Sequence, residues 1–143
     1  MKIQIITDKS VTETEVTVKC SEYTPRLARA VASLALSEHT VCGKCGGELF
    51  FVRLGDILYF EAVDGKAFFY TDKSTYEASS RLSGIEESLD DTCFARISKN
   101  AIVNLRKVRS IRTEPHARLC ATLSSGERLI VSRQYVQEIK SKL

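Results

Sequence analysis

Polar and apolar residues alternate over residues 2–6 (KIQII) and again over residues 15–20 (EVTVKC), the period of a strand with one buried face. Thr24-Pro25 then reads as a helix start. Thr can cap the free amides, and Pro fits a first turn in which its missing N–H costs nothing. Leu27, Ala30, Val31 and Leu34 follow on one side of that helix, so the first forty residues predict β-β-α. Residues 39–47 (HTVCGKCGG) hold three of the seven glycines and read as a loop and a domain boundary. Strand-like runs come next at 49–54, 57–62 and 67–71. The last two are joined through Asp64-Gly65, a hairpin signal because both residues accept positive φ. Residues 74–90 change to helical spacing, with Ala78, Leu82, Ile85 and Leu89 on one side. Glu86-Glu87 and Asp90-Asp91 sit on the surface and end of that helix as solvated carboxylates. Short strands resume around 94–97, 108–112, 119–123 and 129–131, with turns at Glu114-Pro115 and Ser125-Gly126. A short helix from about Arg133 closes the chain, with Val136, Ile139 and Leu143 on one face. The fold class is mainly β (α+β), with three helices.

At 143 residues and 43% hydrophobic, the chain has the size and composition of one folded domain, or of one domain with a small extension. No apolar run approaches the roughly 18 residues of a membrane span. The N-terminus lacks the apolar core and cleavage site of a signal peptide. Five cysteines, an odd number, fit reduced thiols in a cytoplasm better than a disulfide framework. The net charge of +3 conceals a polarity. Residues 1–50 carry six Lys/Arg and six Asp/Glu, a balance of zero; residues 51–95 carry four against nine, or −5; residues 96–143 carry eleven against three, or +8. Such a segregated basic segment suits a polyanion, the alternative being a solvated β-surface.

An enzyme reading finds little support. His39 and His116 stand in no HExxH spacing, and the glycines of GKCGGE lack the Gly-Lys-Ser/Thr of a phosphate loop. His39, Cys42 and Cys45 form H-x2-C-x2-C, half of a zinc ribbon without a second CxxC. Cys20, Cys93 and Cys120 are isolated in or beside strands, where thiols pack as small hydrophobes. A metal- or partner-binding module centred on His39, Cys42 and Cys45, with no specific DNA role, is the alternative function, although a structural turn accounts for the motif better. The basic third (FARISKNAIVNLRKVRSIR, then LSSGERLIVSRQYVQEIKSKL) offers the residue types that suit a duplex. Arg pairs with guanine, Asn and Gln pair with adenine, and Ser, Lys and backbone amides hold phosphates. No recognition helix is evident, so loops and strand ends must do any reading.

Residues 57–61 (ILYFE), 94–99 (FARISK), 102–105 (IVNL) and 132–135 (SRQY), with the Gly126-Glu127 hairpin before the last, resemble the successive motifs of the LytTR DNA-binding domain. The resemblance covers residues 44–143 and leaves 1–43 as a β-β-α extension. It implies an elongated, mostly β fold and a sequence-specific bacterial transcription regulator without catalytic role or cofactor. Its loops would enter the major groove, and dimers would bind paired direct repeats. Carried over position by position, it puts Lys66, Lys99, Asn100, Arg133 and Gln134 nearest the bases, and Arg96, Arg118 and Ser132 at phosphates. Ala67 stands where family members often have a polar or imidazole side chain. Arg96, between Ala95 and Ile97, either holds a phosphate or pairs with a carboxylate. Asn104, after an apolar run, reads as a buried structural amide. Forty residues cannot hold a receiver domain, so the chain resembles the stand-alone LytTR regulators, some of which are encoded beside a small membrane protein that inhibits them. The extension then serves as a dimerisation or partner surface.

Overall fold

The computed structural model of the protein describes residues 1–89 and 93–143; the acidic pair Asp90-Asp91 lies outside the described residues. Helix α1 (Pro25–Ser37) starts as expected, with the Leu27 N–H donating to Thr24 Oγ1 at 3.2 Å. Strands β1 (Thr40–Cys45), β2 (Glu48–Arg53), β3 (Tyr59–Val63), β4 (Lys66–Tyr70) and β5 (Thr75–Ala78) precede helix α2 (Leu82–Ser88). Strands β6 (Phe94–Ser98), β7 (Ala101–Asn104), β8 (Val108–Glu114), β9 (Arg118–Leu123) and β10 (Arg128–Val131) lead to helix α3 (Val136–Lys142). Seven strands form one antiparallel sheet in the order β2-β1-β5-β4-β3-β7-β6, and three form a second in the order β10-β9-β8.

Both faces of the large sheet are covered around β3, β7 and β6, which explains why β7 is apolar up to Asn104. Phe60 pairs with Ile102, and both join Ile57, Phe69 and Phe94 in a core closed by Leu82, Ile85 and Leu89 of the α2 region. The neighbouring pair, Tyr59 and Val103, turns to the other face. There it joins Leu58, Ala95 and Ile97 against Leu119, Leu123 and Val131 of the second sheet and Val136 and Ile139 of α3. A slip of one residue in β3 or β7 would exchange the two cores, so the register is tightly specified.

Several expectations need correction. Residues 2–6 and 15–20 join neither sheet, and residues 1–20 are exposed throughout; alternation alone does not make a strand without a ladder to pair in. The buried line of α1 is Ala28 and Ala32, with Leu36 packed behind them, while Ala30 and Leu34 face out. Arg26, Arg29, Ser33 and Ser37 form one exposed polar stripe, and the wide apolar remainder of the helix admits more than one buried line. The expected loop at 39–47 is largely β1, and the turn is Gly46-Gly47 alone, both at positive φ. A division of the chain between residues 43 and 44 therefore runs through β1, which pairs with both β2 and β5. Residues 75–78 form β5 rather than the start of α2, because Tyr76 stacks on Phe69 with ring centroids 5.0 Å apart. Leu143 is exposed instead of closing the face of α3. Strand β7, not distinguished in the sequence, is wholly buried.

Asn104 is the buried polar side chain of the described core. Its Nδ2 donates to the Ile57 carbonyl at 2.8 Å, and its Oδ1 accepts from the Arg106 N–H at 3.1 Å and the Cys93 thiol at 3.2 Å. Asn104→Leu should cost about 2–3 kcal/mol in urea unfolding, because it strands a buried carbonyl and an amide. Gly43→Ala tests the packing of β1. A Cβ there would lie 2.5 Å from the Phe69 ring and 2.9 Å from the Tyr76 Cβ, so a loss of about 1–3 kcal/mol is expected in the same measurement.

Candidate nucleic-acid interface

Three turns carry most of the polar residues singled out in the sequence, and backbone hydrogen bonds hold the turns to one another. The first is the two-residue turn Asp64-Gly65 between β3 and β4, with φ of 51° and 78°. It presents Lys66, exposed and 3.7 Å from Glu77 Oε1. Ala67 is buried in the first core and offers nothing to a ligand. The second turn, Lys99-Asn100, joins β6 to β7, and both its residues are exposed. The third follows β10, where Ser132, half-buried, opens a single 3-10 turn that exposes Arg133 and Gln134.

The Ala62 N–H donates to the Asn100 carbonyl at 2.7 Å. Ala62 itself pairs with Ala67, one residue from Lys66, so this bond links the first turn to the second. The Ser132 N–H donates to the Ile97 carbonyl at 2.7 Å and links the third turn to the strand that feeds the second. A break in the pairing of β6 with β7 between Arg96 and Ser98 re-aims the chain at this point.

Arg96 is committed to its own chain. Its Nε donates to the Ser98 carbonyl at 2.8 Å, one Nη to Glu86 Oε2 at 2.9 Å, and the other Nη to the Lys99 carbonyl. The side chain is 18% exposed. Of the two roles open to it in the sequence, it fills the carboxylate-pairing one and also clamps the Lys99-Asn100 turn. Asn104, by contrast, has the buried structural role expected of it.

Arg118 opens β9, with its Nε donating to the Pro115 carbonyl at 3.2 Å. It lines a cleft of about 270 Å³ together with Arg133, Gln137 and Lys140. Gln137 and Lys140 were not singled out in the sequence. The signal was there, since 133, 137 and 140 stand at i, i+4 and i+7 and therefore share one face of a helix. Among the described residues, Lys99, Arg118, Arg133 and Lys140 take part in no ion pair. These cations thus remain available to an anion.

The hairpin between β9 and β10 is tied to the large sheet by Tyr59, whose phenol donates to Glu127 Oε2 at 2.8 Å. Burial first, and the Glu127 carboxylate second, push that phenol well above its ordinary pKa, so it stays a donor. Tyr70 stacks on Tyr59 with centroids 4.4 Å apart.

The cysteine motif is arranged differently from a metal site. Cys42 and Cys45 lie three positions apart on β1, and so on opposite faces of the strand. Cys42 is buried, and burial pushes its thiol pKa up. No cluster of three or more His, Cys, Asp or Glu suited to a metal occurs among the described residues.

Comparison with known proteins decides the family. The model of the LytTr DNA-binding domain matches residues 47–143. The chain belongs to the LytTR DNA-binding domain family. The Sensory transduction protein LytT of Enterococcus faecalis is 28% identical over 95 residues, which are 66% of this chain and 39% of that protein. Its Bacillus subtilis namesake is 27% identical over 106 residues, 74% of this chain and 44% of that protein. The chain thus spans about two fifths of the length of these curated relatives. A solved LytTr DNA-binding domain of a Bacillus cereus response regulator superposes with a TM-score of 0.69 at 24% identity, covering 73% of this chain and 95% of that one. This last match supports the fold.

The match starts within the β1–β2 turn, and all eight positions carried over from the family lie inside it. Membership identifies residues 47–143 as a DNA-binding domain. Among the described residues no helix is long and apolar enough to cross a membrane.

Arg96 can be tested by charge. Arg96→Lys keeps the cation but cannot reproduce three directed donors. If Arg96 positions the turn, Arg96→Lys should weaken DNA binding nearly as much as Arg96→Met, measured by fluorescence anisotropy. Near-normal binding by the lysine variant would instead mark a simple phosphate contact.

Proposed function

We propose that the protein is a sequence-specific, cytoplasmic transcription regulator whose three linked turns enter the major groove of duplex DNA. The observation that carries this reading is the pair of backbone bonds, Ala62 to Asn100 and Ser132 to Ile97, which fasten three exposed polar turns into one surface. Sites built on strand ends hold their side chains better than free loops do. In this reading Lys66, Lys99, Asn100, Arg133 and Gln134 approach base edges. Arg133 offers a fork to guanine, and Asn100 and Gln134 offer paired amides to adenine. Ser132 and Arg118 hold phosphates, joined by Lys140. Arg96 stands behind Lys99 and Asn100 as a positioning residue.

The domain has no long recognition helix to lay along the groove, so each copy reads a short site. Binding as a homodimer on paired direct repeats extends the site length. The residues before the LytTR domain supply a surface for a partner, either a second copy or a small inhibitory membrane protein. The +8 balance of residues 96–143 supports a large phosphate contribution and hence a steep salt dependence.

Selection from a random duplex library tests the reading directly. Two short enriched motifs about one helical turn apart are expected; retention without enrichment would reduce the protein to a basic surface. On the selected site, Arg133→Ala should cost about 1–3 kcal/mol and relax preference at one position. Arg118→Ala and Lys140→Ala should weaken binding to all sequences alike, and each should lower the salt slope by about one.

A further inference from the structure

Two parts of the chain carry strand-pairing capacity that the single molecule leaves unused. Residues 1–20 have the alternation of two strands, yet Ile3, Ile5, Val16 and Val18 are 79%, 85%, 61% and 47% exposed. A turn between the two segments is already formed. The Val11 N–H donates to the Asp8 carbonyl at 3.1 Å, and the Asp8 carboxylate accepts from the Ser10 N–H and hydroxyl at 2.9 and 2.7 Å. Two strands alone are marginal in water and need a third to pair with. Strand β2 offers the complementary feature. It is the outermost strand of the large sheet, paired on one side with β1 and open on the other. Leu49, Phe50 and Phe51 on it are 37%, 36% and 58% exposed. An open edge of this kind is a template for another strand.

We propose that the N-terminal arm of one copy adds to the β2 edge of a second copy, and that the exchange is mutual, giving a twofold dimer. Antiparallel addition of residues 15–20 to Glu48–Arg53 sets Glu15 opposite Arg53, Val16 opposite Val52 and Val18 opposite Phe50, with Lys19 opposite Leu49. Opposite charges meet at the Glu15–Arg53 end of the ladder. Val16 and Val18 also continue the face on which Val52 packs against the first core and Phe50 meets Tyr76 at 5.5 Å. Sliding the arm by one residue moves both valines off the face that packs on the first core and sets Glu15 against Val52, so burial selects this register. Each isologous contact is made twice, as twofold symmetry requires. Strand β2 and strand β6 are opposite edges of a seven-stranded sheet, six spacings or about 29 Å apart. The Lys99-Asn100 turns of both copies therefore stay free. The association stands without DNA; its value for paired half-sites rests on the DNA-binding reading above.

Light scattering on the full chain over a concentration series gives the mass. The wild type should be a dimer, and Val16→Asp combined with Val18→Asp should be a monomer; a wild-type monomer, or a dimer that survives the two aspartates, overturns the proposal. Charge reversal then identifies whose edge the arm occupies. Glu15→Arg alone and Arg53→Glu alone should each weaken the dimer about tenfold. Mixing the two variants should restore it, because every 15–53 contact in the mixed pair again joins opposite charges. If mixing fails and only the double reversal within one chain restores the fold of the arm, the arm lies on its own edge and the proposal is wrong. All these substitutions leave the three DNA-facing turns intact. Anisotropy on a single selected half-site should therefore be unchanged, and absence of DNA binding in every variant and the wild type would defeat the regulator reading while leaving the dimer standing.

Discussion

The side chain of Asn104 sits where four segments converge, and the placement of the rest of the structure follows from what it holds. It takes the Ile57 carbonyl just before β3, the Cys93 thiol just before β6 and the Arg106 N–H in the turn that leads to the second sheet. Its own N–H reaches the Leu58 carbonyl, and the neighbouring Leu105 N–H reaches that of Cys93. Ile57 belongs to one core and Leu58 to the other, so the corner fixes which side chains of β3 face which layer. A buried amide with all its partners met is directional in a way that packing alone is not. An apolar residue of similar size would fill the space without choosing a register.

That register reaches the proposed DNA-facing surface in a few steps. With Tyr59 opposite Val103 and Phe60 opposite Ile102, Glu61 falls opposite Ala101, and the next residue, Ala62, arrives at the Asn100 carbonyl. The first and second turns are thus aligned by the same ladder that separates the two cores. Backbone groups and Arg96 do the holding, which leaves the heads of Lys99, Arg133 and Gln134 exposed. Exposed charge costs little in the free protein, and the free energy of bringing it to phosphate comes largely from released counterions. In the proposed reading, stability and recognition fall on different atoms of the same few residues.

The sequence made the parts governed by short-range chemistry legible. Asp64-Gly65 needs positive φ, and Thr24-Pro25 needs a helix start; both are where local rules put them. The buried role of Asn104 was readable from an amide ending an apolar run. Features set by distant partners were not. Tyr76 stacks on Phe69, and that contact makes a strand of residues whose spacing suited a helix. Gly43 suggested a loop, yet its missing Cβ admits the Phe69 ring inside a strand. The pairing of Arg96 with Glu86 on α2, ten residues earlier, likewise lies beyond any local pattern. Lys140 was hidden by attention to the apolar face of its helix, although its spacing from Arg133 was visible.

The division between a reading surface and a remote open edge bears on how a small domain can be selective. Each bidentate base contact discriminates by about 1–3 kcal/mol, and a genome offers about a million or more competing sites. A handful of such contacts on three turns barely meets that demand for one copy. Joining two copies makes the second binding event intramolecular and multiplies the discrimination without adding a base contact to either surface. For this to work, the joint must leave both reading surfaces free. The turns gather around β3, β6 and β10, whereas the unpaired backbone of β2 lies at the far edge of the large sheet. A joint at that edge would add its stabilisation without competing with DNA for any side chain. Strand β1, which pairs with β5 on one side and β2 on the other, is what places β2 at that edge.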